Sequence, residues 1–316
     1  MPTTSPAPAG RTARRLEWRF LPPEVRELVE ARCGSAVVEA VSQGGGFTPG
    51  FASVLTCADG SRHFVKAAST RAQRPIADSY REEARKLRAL PAGLPAARLQ
   101  WSLDDEWVVL GLEYAEGRAP RRPWRVAELN RCLDALEDVA ARLTPVPDGL
   151  ELATFADDFA DFAAAWDDVL AGEPALPGMT ASRLETAATL ARGFAEATSG
   201  DTVVHTDVRD DNLLLGDQVV ICDWNWLATG ADWLDTVFLL LGPRGDGLDV
   251  EAVLRERELT RGVADEQVDI VLALLVGYFL RQRELPAPPS SPYLRQHQAW
   301  CAETSWEWLA ERRGWS

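Results

Sequence analysis

Hydrophobic and polar positions alternate in short runs over residues 37–66, and this pattern predicts an antiparallel β-sheet. The run AVVEAVSQ leads through a glycine cluster into FASVLTC, and a third run, RHFVKAA, follows the turn Ala58–Asp59–Gly60. An Asp-Gly pair between two β-prone runs is a strong hairpin signal. We therefore expect three consecutive strands.

A helical pattern follows these strands. Residues 78–90, DSYREEARKLRAL, repeat an inward-facing position at helical spacing. The positions on this face are Tyr80, Glu83, Leu87 and Leu90. Two more strands are predicted after the helix, around residues 99–103 and within EWVVLGLEYA.

The pattern changes character after Gly117. A proline-rich stretch, RAPRRPW, precedes helical periodicities, and a short strand pattern, QVVICDW, separates these from a second helical stretch that starts at Asp232. The predicted helices lie near 126–143, 155–171 and 182–197. Strands first and helices afterwards indicate an α+β fold, with a small antiparallel-sheet lobe that carries one helix and a larger, mainly helical lobe.

Charge and composition narrow the class of protein. The net charge of -15 over 316 residues argues against nucleic acid or an anionic membrane as a partner, because such a field attracts cations. The five scattered cysteines form no C-x-x-C pair, which fits reduced thiols better than disulfides or a zinc site. No apolar run approaches the roughly 18 residues of a membrane span.

The N-terminal residues 1–15 are rich in Pro, Ala and Thr, and we expect a disordered tail. Arg14 and Arg15 resemble a twin-arginine signal, but charges occupy the following stretch where an apolar core would have to be. Export is therefore rejected, and a cytoplasmic location is expected.

The stretch VVHTDVRDDNLLL places several carboxylates in one turn between apolar runs. His205, Asp207 and Asn212 fit the spacing H-x-D-x-x-x-x-N, and Asp223 follows at the end of the next apolar strand. This set suits phosphoryl transfer, in which one carboxylate accepts a proton while an amide oxygen and a second carboxylate hold Mg²⁺. The simpler alternative is a polar loop followed by a buried strand that ends in aspartate.

The turn and the strand VVICDW resemble the aminoglycoside phosphotransferase and choline kinase group, the small-molecule branch of the protein-kinase-like fold. The resemblance extends from about residue 37 to the end of the chain. It implies that Asp207 is the catalytic base, that Asn212 and Asp223 bind magnesium, and that His205 braces the loop. The chain departs from the family's usual H-G-D at Thr206.

Two further residues of the helical lobe acquire roles from this resemblance. Asp235 is expected to hydrogen-bond the catalytic loop as a structural residue. Arg209 lies where protein kinases place a lysine that touches the transferred phosphate. The alternative for Arg209 is an exposed arginine that balances Asp210 and Asp211.

Lys66 supplies independent support from the first lobe. It is one of only two lysines, and it lies among apolar residues in the third predicted strand. The family holds such a lysine against the α- and β-phosphates with a glutamate, for which Glu83 is the match. The alternative is an edge-strand lysine that reaches solvent. Glu82 points elsewhere and is expected to pair with Lys86 at i+4.

Two loops complete the predicted nucleotide site. Glycine-rich residues between the first two strands can bring backbone amides close to phosphate oxygens. The segment GLEYAEG resembles the hinge between lobes, where backbone groups would bind adenine. The residues proposed for these contacts are Gly45, Gly46, Phe47, Thr48, Glu113 and Ala115.

The sequence thus predicts a bilobal protein-kinase-like fold with an N-lobe at 16–112, a hinge at 113–117 and a C-lobe at 118–316. The expected activity is transfer of a γ-phosphate from ATP or GTP, with Mg²⁺, to a hydroxyl of a small molecule. An aminoglycoside, another antibiotic or an amino sugar would suit the acidic chain, with carboxylates near 157–168 as pocket or solvated face. The alternative is an inactive, pseudokinase-like binding protein. A protein kinase is disfavoured, because no A-P-E-like segment or activation loop lies between Asp223 and Asp235.

Overall fold

A computed structural model of the chain describes Pro8, Gly10 and residues 12–315. Its first part contains a five-stranded sheet in which every neighbouring pair is antiparallel and the order is β1-β2-β3-β5-β4. The strands are β1 (Val37–Ser42), β2 (Phe51–Cys57), β3 (Arg62–Ser69), β4 (Leu99–Asp104) and β5 (Trp107–Glu113). The predicted antiparallel sheet is confirmed.

Helices cover both faces of this sheet. The first, α1 (Pro23–Cys33), buries Val25 and Val29 against one face, together with Val65 of β3. The second, α2 (Arg74–Ala89), packs on the other face. Because side chains alternate along a strand, Lys66 points to the α2 side.

The hydrophobic pattern of the sequence predicted α2 but not α1. Only Val25 and Val29 of α1 are buried, so its periodicity is short and weak. The available signals were the proline at its start and Gly34 at its end, which adopts φ +82°. Proline at a helix start and glycine just beyond its end are typical boundaries.

The second part of the chain is mainly helical, as predicted. Its long central helix, α10 (Asp265–Arg283), packs against four other helices. These are α5 (Ala160–Ala171), α6 (Ala181–Arg192), α7 (Phe194–Ala197) and α11 (Leu294–Arg312). Two predicted helices are each broken, at Phe159 and at Gly193. The helices are α3 (Val126–Arg142), α4 (Phe155–Asp158), α5 (Ala160–Ala171), α6 (Ala181–Arg192), α7 (Phe194–Ala197), α8 (Leu234–Gly245), α9 (Val250–Glu256), α10 (Asp265–Arg283) and α11 (Leu294–Arg312).

Two small antiparallel ribbons position the acidic turn between the sheet and these helices. Asn212 immediately precedes β7 (Leu213–Leu215), and Asp223 follows β8 (Val219–Ile221) after one residue. The Cys222 N–H donates to the Asn212 carbonyl at 2.8 Å. The hairpin therefore brings residues that are distant in sequence to one end. The ribbons are β6 (Thr202–Val204) with β9 (Ala228–Gly230), and β7 (Leu213–Leu215) with β8 (Val219–Ile221).

Part of the predicted disordered tail is ordered. The Thr12 N–H donates to the Gly44 carbonyl at 3.0 Å, and the Arg14 N–H donates to the Ser290 carbonyl at 2.7 Å. Thr12 and Ala13 are buried. Paired backbone groups fix this segment despite its composition. The prediction for residues 1–7, 9 and 11 lies outside the described residues.

The five cysteines carry free thiols. The fold nevertheless brings ligand atoms of Cys33, Cys57 and His63 within 4.8 Å of one another. Burial raises the pKa of the Cys33 thiol to about 12, so this thiol stays protonated at neutral pH. No helix among the described residues is long and apolar enough to cross a membrane.

Candidate active site

Two adjoining cavities lie between the sheet and the helices. The first, here called the cleft, has a volume of about 760 Å³, and the second, the inner cavity, about 580 Å³. Both are lined by Asp223, so they meet at the end of the β7–β8 hairpin.

The two cavities separate the residues that the sequence analysis singled out. Lys66, Glu83 and Asn212 line the cleft, whereas Asp207 and Arg209 line the inner cavity. The glycine-loop and hinge residues also line the cleft, and some of them reach the inner cavity. These residues are Gly45, Gly46, Phe47, Thr48, Glu113 and Ala115.

Lys66 and Glu83 form a buried ion pair. The Lys66 Nζ lies 2.7 Å and 2.8 Å from the two carboxylate oxygens of Glu83, and the side chains are only 6 % and 2 % exposed. Lys66 Nζ also donates to Asp223 Oδ1. Burial opposes the ammonium charge, but the carboxylates of Asp223 and Glu83 raise the pKa of Lys66 above its ordinary value. Lys66 is therefore an internal cation and does not reach solvent.

Asp223 occupies a strained position at the junction. Its φ of +63° lies in the left-handed region that non-glycine residues rarely adopt. Burial opposes its ionisation, but the Lys66 ammonium outweighs burial and holds the pKa of Asp223 below its ordinary value. The strained backbone thus presents an ionised carboxylate to both cavities, and such strain is concentrated at functional sites.

Asp207 is held by Asn212 at the inner cavity. The Asn212 amide donates to the Asp207 carbonyl at 2.8 Å and to Asp207 Oδ2 at 3.0 Å. Because the Asn212 nitrogen makes both bonds, its amide oxygen is available for a different partner. Burial raises the pKa of Asp207 to about 6, against the opposing effect of Arg209.

Arg209 bridges two aspartates. Its Nη1 lies 2.9 Å from Asp207 Oδ1, and its Nε and Nη2 donate to the two oxygens of Asp211 at 3.0 Å and 3.2 Å. The alternative described an exposed arginine that balances Asp210 and Asp211. Arg209 does pair with Asp211, but its side chain is 29 % exposed, and Asp210 lies 3.5 Å from Nη1 of Arg122. Arg209 therefore orients the Asp207 carboxylate.

The backbone of the acidic turn is fixed by Asp235. Its Oδ2 accepts from the His205 N–H at 2.6 Å and its Oδ1 from the Thr206 N–H at 2.8 Å. Thr206 adopts φ +67°, a region that is costly for a β-branched residue. Its hydroxyl donates to the Trp226 carbonyl at 2.9 Å. The departure from glycine is thus accommodated by the Asp235 clamp and this hydroxyl contact.

His205 is buried behind the same turn and braces it. Its Nε2 lies 2.8 Å from the Cys222 carbonyl, and its ring meets Trp224 edge to face. Burial lowers the pKa of His205, so the ring is neutral at pH 7. A neutral ring that faces the hairpin and not the cavities fits the structural role expected from the sequence.

At the hinge, the Glu113 N–H is already used, because it donates to the Arg98 carbonyl at 2.9 Å. The Ala115 N–H has no hydrogen-bond partner among the described residues. Of the two residues predicted to contact adenine, Ala115 is therefore the one whose N–H can serve a ligand in the cleft.

Lys86 corrects one expectation. It does not pair with Glu82, which binds Arg85 at 2.8 Å. The buried Lys86 Nζ donates instead to the carbonyls of Asn225 and Leu227 at 2.7 Å and 3.1 Å. Lys86 therefore ties α2 to the segment that follows Asp223, and the rarity of lysine was the signal that pointed to it.

Two arginines at the cavities were not anticipated. Arg15 reaches over the glycine loop, where its Nη2 donates to the Gly45 carbonyl at 2.8 Å. Arg122 lies 2.7 Å from each oxygen of Asp246 and lines both cavities. Both come from segments whose composition predicted only a tail and a connecting loop.

The architecture is similar to that of several solved structures. A spectinomycin phosphotransferase in complex with ADP and spectinomycin matches 90% of this chain and 93% of its own, at 12% identity and a TM-score of 0.57. A choline/ethanolamine kinase family protein from Mesorhizobium loti matches 90% of this chain and 95% of its own, at 16% identity and a TM-score of 0.56. The chain therefore has the bilobal, protein-kinase-like α+β fold of these proteins.

A third similar structure is an aminoglycoside phosphotransferase from Alicyclobacillus acidocaldarius. It matches 88% of this chain and 92% of its own, at 16% identity and a TM-score of 0.51. No family model and no curated protein matches the sequence itself. The similarity to these solved structures is thus a similarity of fold. It agrees with the family resemblance that the acidic turn indicated.

Proposed function

We propose that the protein is a phosphotransferase that moves the γ-phosphoryl group of a nucleotide to a hydroxyl of a small molecule. The observation that carries this proposal is the arrangement of two adjoining cavities with Asp223 common to both, Lys66 in one and Asp207 in the other. A phosphoryl group has to pass between two bound substrates, and this arrangement offers one place for each.

The cleft suits the nucleotide. Small and apolar side chains of the sheet and the hairpin, including Ala52, Val54 and Leu214, provide walls for a base, and the Ala115 N–H supplies a donor at the hinge. Lys66, held by Glu83, provides a positive point charge for the α- and β-phosphates. The glycine loop at Gly45 and Gly46 covers the position where phosphates would lie.

Asn212 and Asp223 fit a magnesium ion. Mg²⁺ prefers hard oxygen ligands, and these residues offer an amide oxygen that the Asp207 contacts leave free and an ionised carboxylate. When bound, the ion neutralises charge on the β- and γ-phosphates. A soft-metal site is disfavoured at this position, because neither side chain supplies sulfur or imidazole.

Asp207 acts as the base. Its carboxylate accepts the proton of the acceptor hydroxyl while the hydroxyl oxygen bonds to the γ-phosphorus and the bond from that phosphorus to the β,γ-bridging oxygen breaks. The products are a phosphate monoester, a nucleoside diphosphate and protonated Asp207. Arg209 orients the carboxylate and adds positive charge beside the transferred group.

The alternative of an inactive binding protein finds no specific support. Such proteins usually lack the lysine, the base or a metal ligand, whereas Lys66, Asp207, Asn212 and Asp223 are all present. The acceptor is proposed to be a small molecule, with aminoglycosides, other antibiotics and amino sugars as the classes suggested by the sequence. Both ATP and GTP are candidate donors.

The test is formation of nucleoside diphosphate from ATP or GTP with Mg²⁺ against a panel of alcohols. We expect acceptor-dependent turnover that Asp207→Asn abolishes. Nucleotide binding without turnover across a chemically broad panel would instead support the inactive binding protein.

A further inference from the structure

One part of the wall of the inner cavity is a cluster of aromatic side chains. Phe159 and Phe162 meet edge to face with ring centroids 5.0 Å apart, and Phe162 stacks on Tyr278 at 3.6 Å with an interplanar angle of 7°. Phe155 stacks on Phe159 at 4.5 Å. Trp226, which is 57 % exposed, also lines the cavity. Aromatic side chains that line a cavity bind apolar ring systems well.

The charges around the inner cavity cancel, although the chain as a whole is strongly acidic. Four arginines and four aspartates line it. Three of the aspartates pair with cations, and Asp158 is exposed and forms no ion pair among the described residues. The paired carboxylates are Asp207 with Arg209, Asp210 with Arg122, and Asp223 with Lys66. Asp158 is thus the lining carboxylate without an ion pair in the described chain, while Arg122 and Arg209 are also shared with Asp246 and Asp211.

The carboxylates of residues 157–168 do not change this balance. Asp158 lines the inner cavity, but Asp157, Asp161, Asp167 and Asp168 are exposed and do not line it. The same stretch contributes its phenylalanines to the cavity wall. Residues 157–168 thus direct their phenylalanine rings into the cavity and most of their carboxylates to solvent.

Arg295 introduces a cation whose partners are neutral. Its Nη1 donates to Gln298 Oε1 at 2.6 Å and to Gln282 Oε1 at 3.4 Å, and its Nε donates to the Pro286 carbonyl at 3.2 Å. It forms no ion pair with a carboxylate in the described part of the chain. A half-buried guanidinium with amide partners keeps its charge and binds a carboxylate strongly.

We propose, resting on the phosphotransferase function above, that the acceptor alcohol carries a flat apolar ring system and one carboxylate-like group, and is not a polycation. The ring system lies against Phe159, Phe162 and Tyr278, and the anionic group binds Arg295. The hydroxyl of such an acceptor faces Asp207, which lines the same cavity. This assignment replaces the expectation of a cationic acceptor that net charge suggested.

Three naphthalene methanols that differ in one substituent test the charge preference. They carry a carboxylate, a methyl or an aminomethyl group on the far ring, and binding is measured by calorimetry with Mg²⁺ and a non-hydrolysable ATP analogue, so the result does not depend on turnover. We expect the carboxylate compound to bind at least about tenfold more tightly than the aminomethyl compound, the scale of one charge-assisted contact. Equal or reversed order, or no binding of the carboxylate compound, would overturn the proposal.

Variants assign this preference to Arg295. Arg295→Gln should reduce the difference to less than about threefold, whereas Arg295→Lys should keep part of it. Arg281→Gln, which removes an exposed arginine paired with Asp168 on the outside of α10, should keep all of it. An unchanged preference in a folded Arg295→Gln protein would contradict the role of Arg295.

Kanamycin, a polycationic aminoglycoside, separates the two proposals. If it is phosphorylated and binds more tightly than the carboxylate compound, the phosphotransferase function stands and the acceptor class is wrong. If the carboxylate compound binds as expected but no compound of a broad alcohol panel is phosphorylated, the binding preference stands and the phosphotransferase function fails.

Discussion

The Lys66 ammonium lies 2.7 Å and 2.8 Å from the two carboxylate oxygens of Glu83, and both side chains are almost fully buried. The pair links β3 to α2 across the sheet face that borders the cleft. Removing one partner leaves a buried charge with weaker compensation, which is costly. The pair therefore couples the stability of the sheet to the proposed nucleotide site.

Glu83→Gln should weaken nucleotide binding by about tenfold. Lys66 then keeps only Asp223 as a charged partner and is held less well in position to bind phosphates. Its melting temperature should also fall. Glu82→Gln is the matched control, since Glu82 is the neighbouring, exposed residue of α2 and pairs with Arg85. Calorimetric titration with nucleotide checks both. Equal affinities of the two variants would show that the pair is only structural.

Lys66→Arg should not behave as a conservative change. The guanidinium is larger and planar and cannot occupy the point that the ammonium holds between Glu83 and Asp223. We expect nucleotide affinity or turnover to fall by about tenfold or more. A fully active Lys66→Arg protein would rule out Lys66 as a phosphate ligand.

Asp207→Asn should abolish transfer while nucleotide affinity stays close to that of the wild type, because Asp207 lines the inner cavity and not the cleft. The wild-type rate should also depend on pH. The pKa of Asp207 is raised to about 6, so the ionised base is present above that pH and is lost as pH falls through it. A plot of kcat/KM against pH should therefore decline on the acid side of about 6.

Arg209→Gln should move that acid limb to higher pH. Arg209 favours the ionised form of Asp207, and removing it lets burial and the neighbouring carboxylates raise the pKa further. Arg281→Gln should leave the profile unchanged. A shift towards lower pH in Arg209→Gln would mean that the limb reports a group other than Asp207.

Asn212→Ala and Asp223→Ala should lose the magnesium-dependent part of thermal stabilisation by nucleotide. A ligand that binds only the folded state adds about 2.7 kcal/mol at a hundredfold excess over Kd, so the loss is measurable as a smaller rise in melting temperature. Asp210→Asn should keep the magnesium-dependent shift, because Asp210 is paired with Arg122 and lies outside the proposed ligand set. A full shift in both alanine variants would contradict the metal site.

Thr206 offers a test of backbone strain. Thr206→Val keeps a β-branched residue at φ +67° and loses the hydroxyl contact with Trp226, whereas Thr206→Gly loses the same contact but relieves the strain. We expect the glycine variant to be more stable than the valine variant by about 1–2 kcal/mol. Urea unfolding curves compare the two. A valine variant as stable as the glycine variant would show that the turn is not strained.

Much of the site could be predicted because its residues lie close together in sequence or on regular elements. Asp207 and Asn212 lie in one loop, and Asp223 lies at the end of the hairpin that follows it. Local chain geometry therefore keeps the three residues close together. Helical periodicity predicted that Glu83 faces inward, whereas its pairing with Lys66 was implied by the family resemblance. By contrast, Arg15 and Arg122 lie in irregular segments, where no periodic pattern indicates which way a side chain points. Lys86 was noticed as a rare residue, but its partners in the segment after Asp223 could not be read from spacing within α2.

The sequence by itself predicted the strands, most helices and the acidic turn, because local patterns of side chains specify each of them. The pairing of β3 with β5 joins segments that are distant in the chain and was decided by the tertiary structure. Only the tertiary structure decided the character of the inner cavity. Phe162 of α5, Tyr278 of α10 and Arg295 of α11 meet there although they are far apart in sequence. Net charge pointed to a cationic acceptor, but charge is a sum over the whole surface. A bound molecule contacts the local set of side chains that packing brings together, and in the inner cavity that set includes a cluster of aromatic rings and equal numbers of arginines and aspartates.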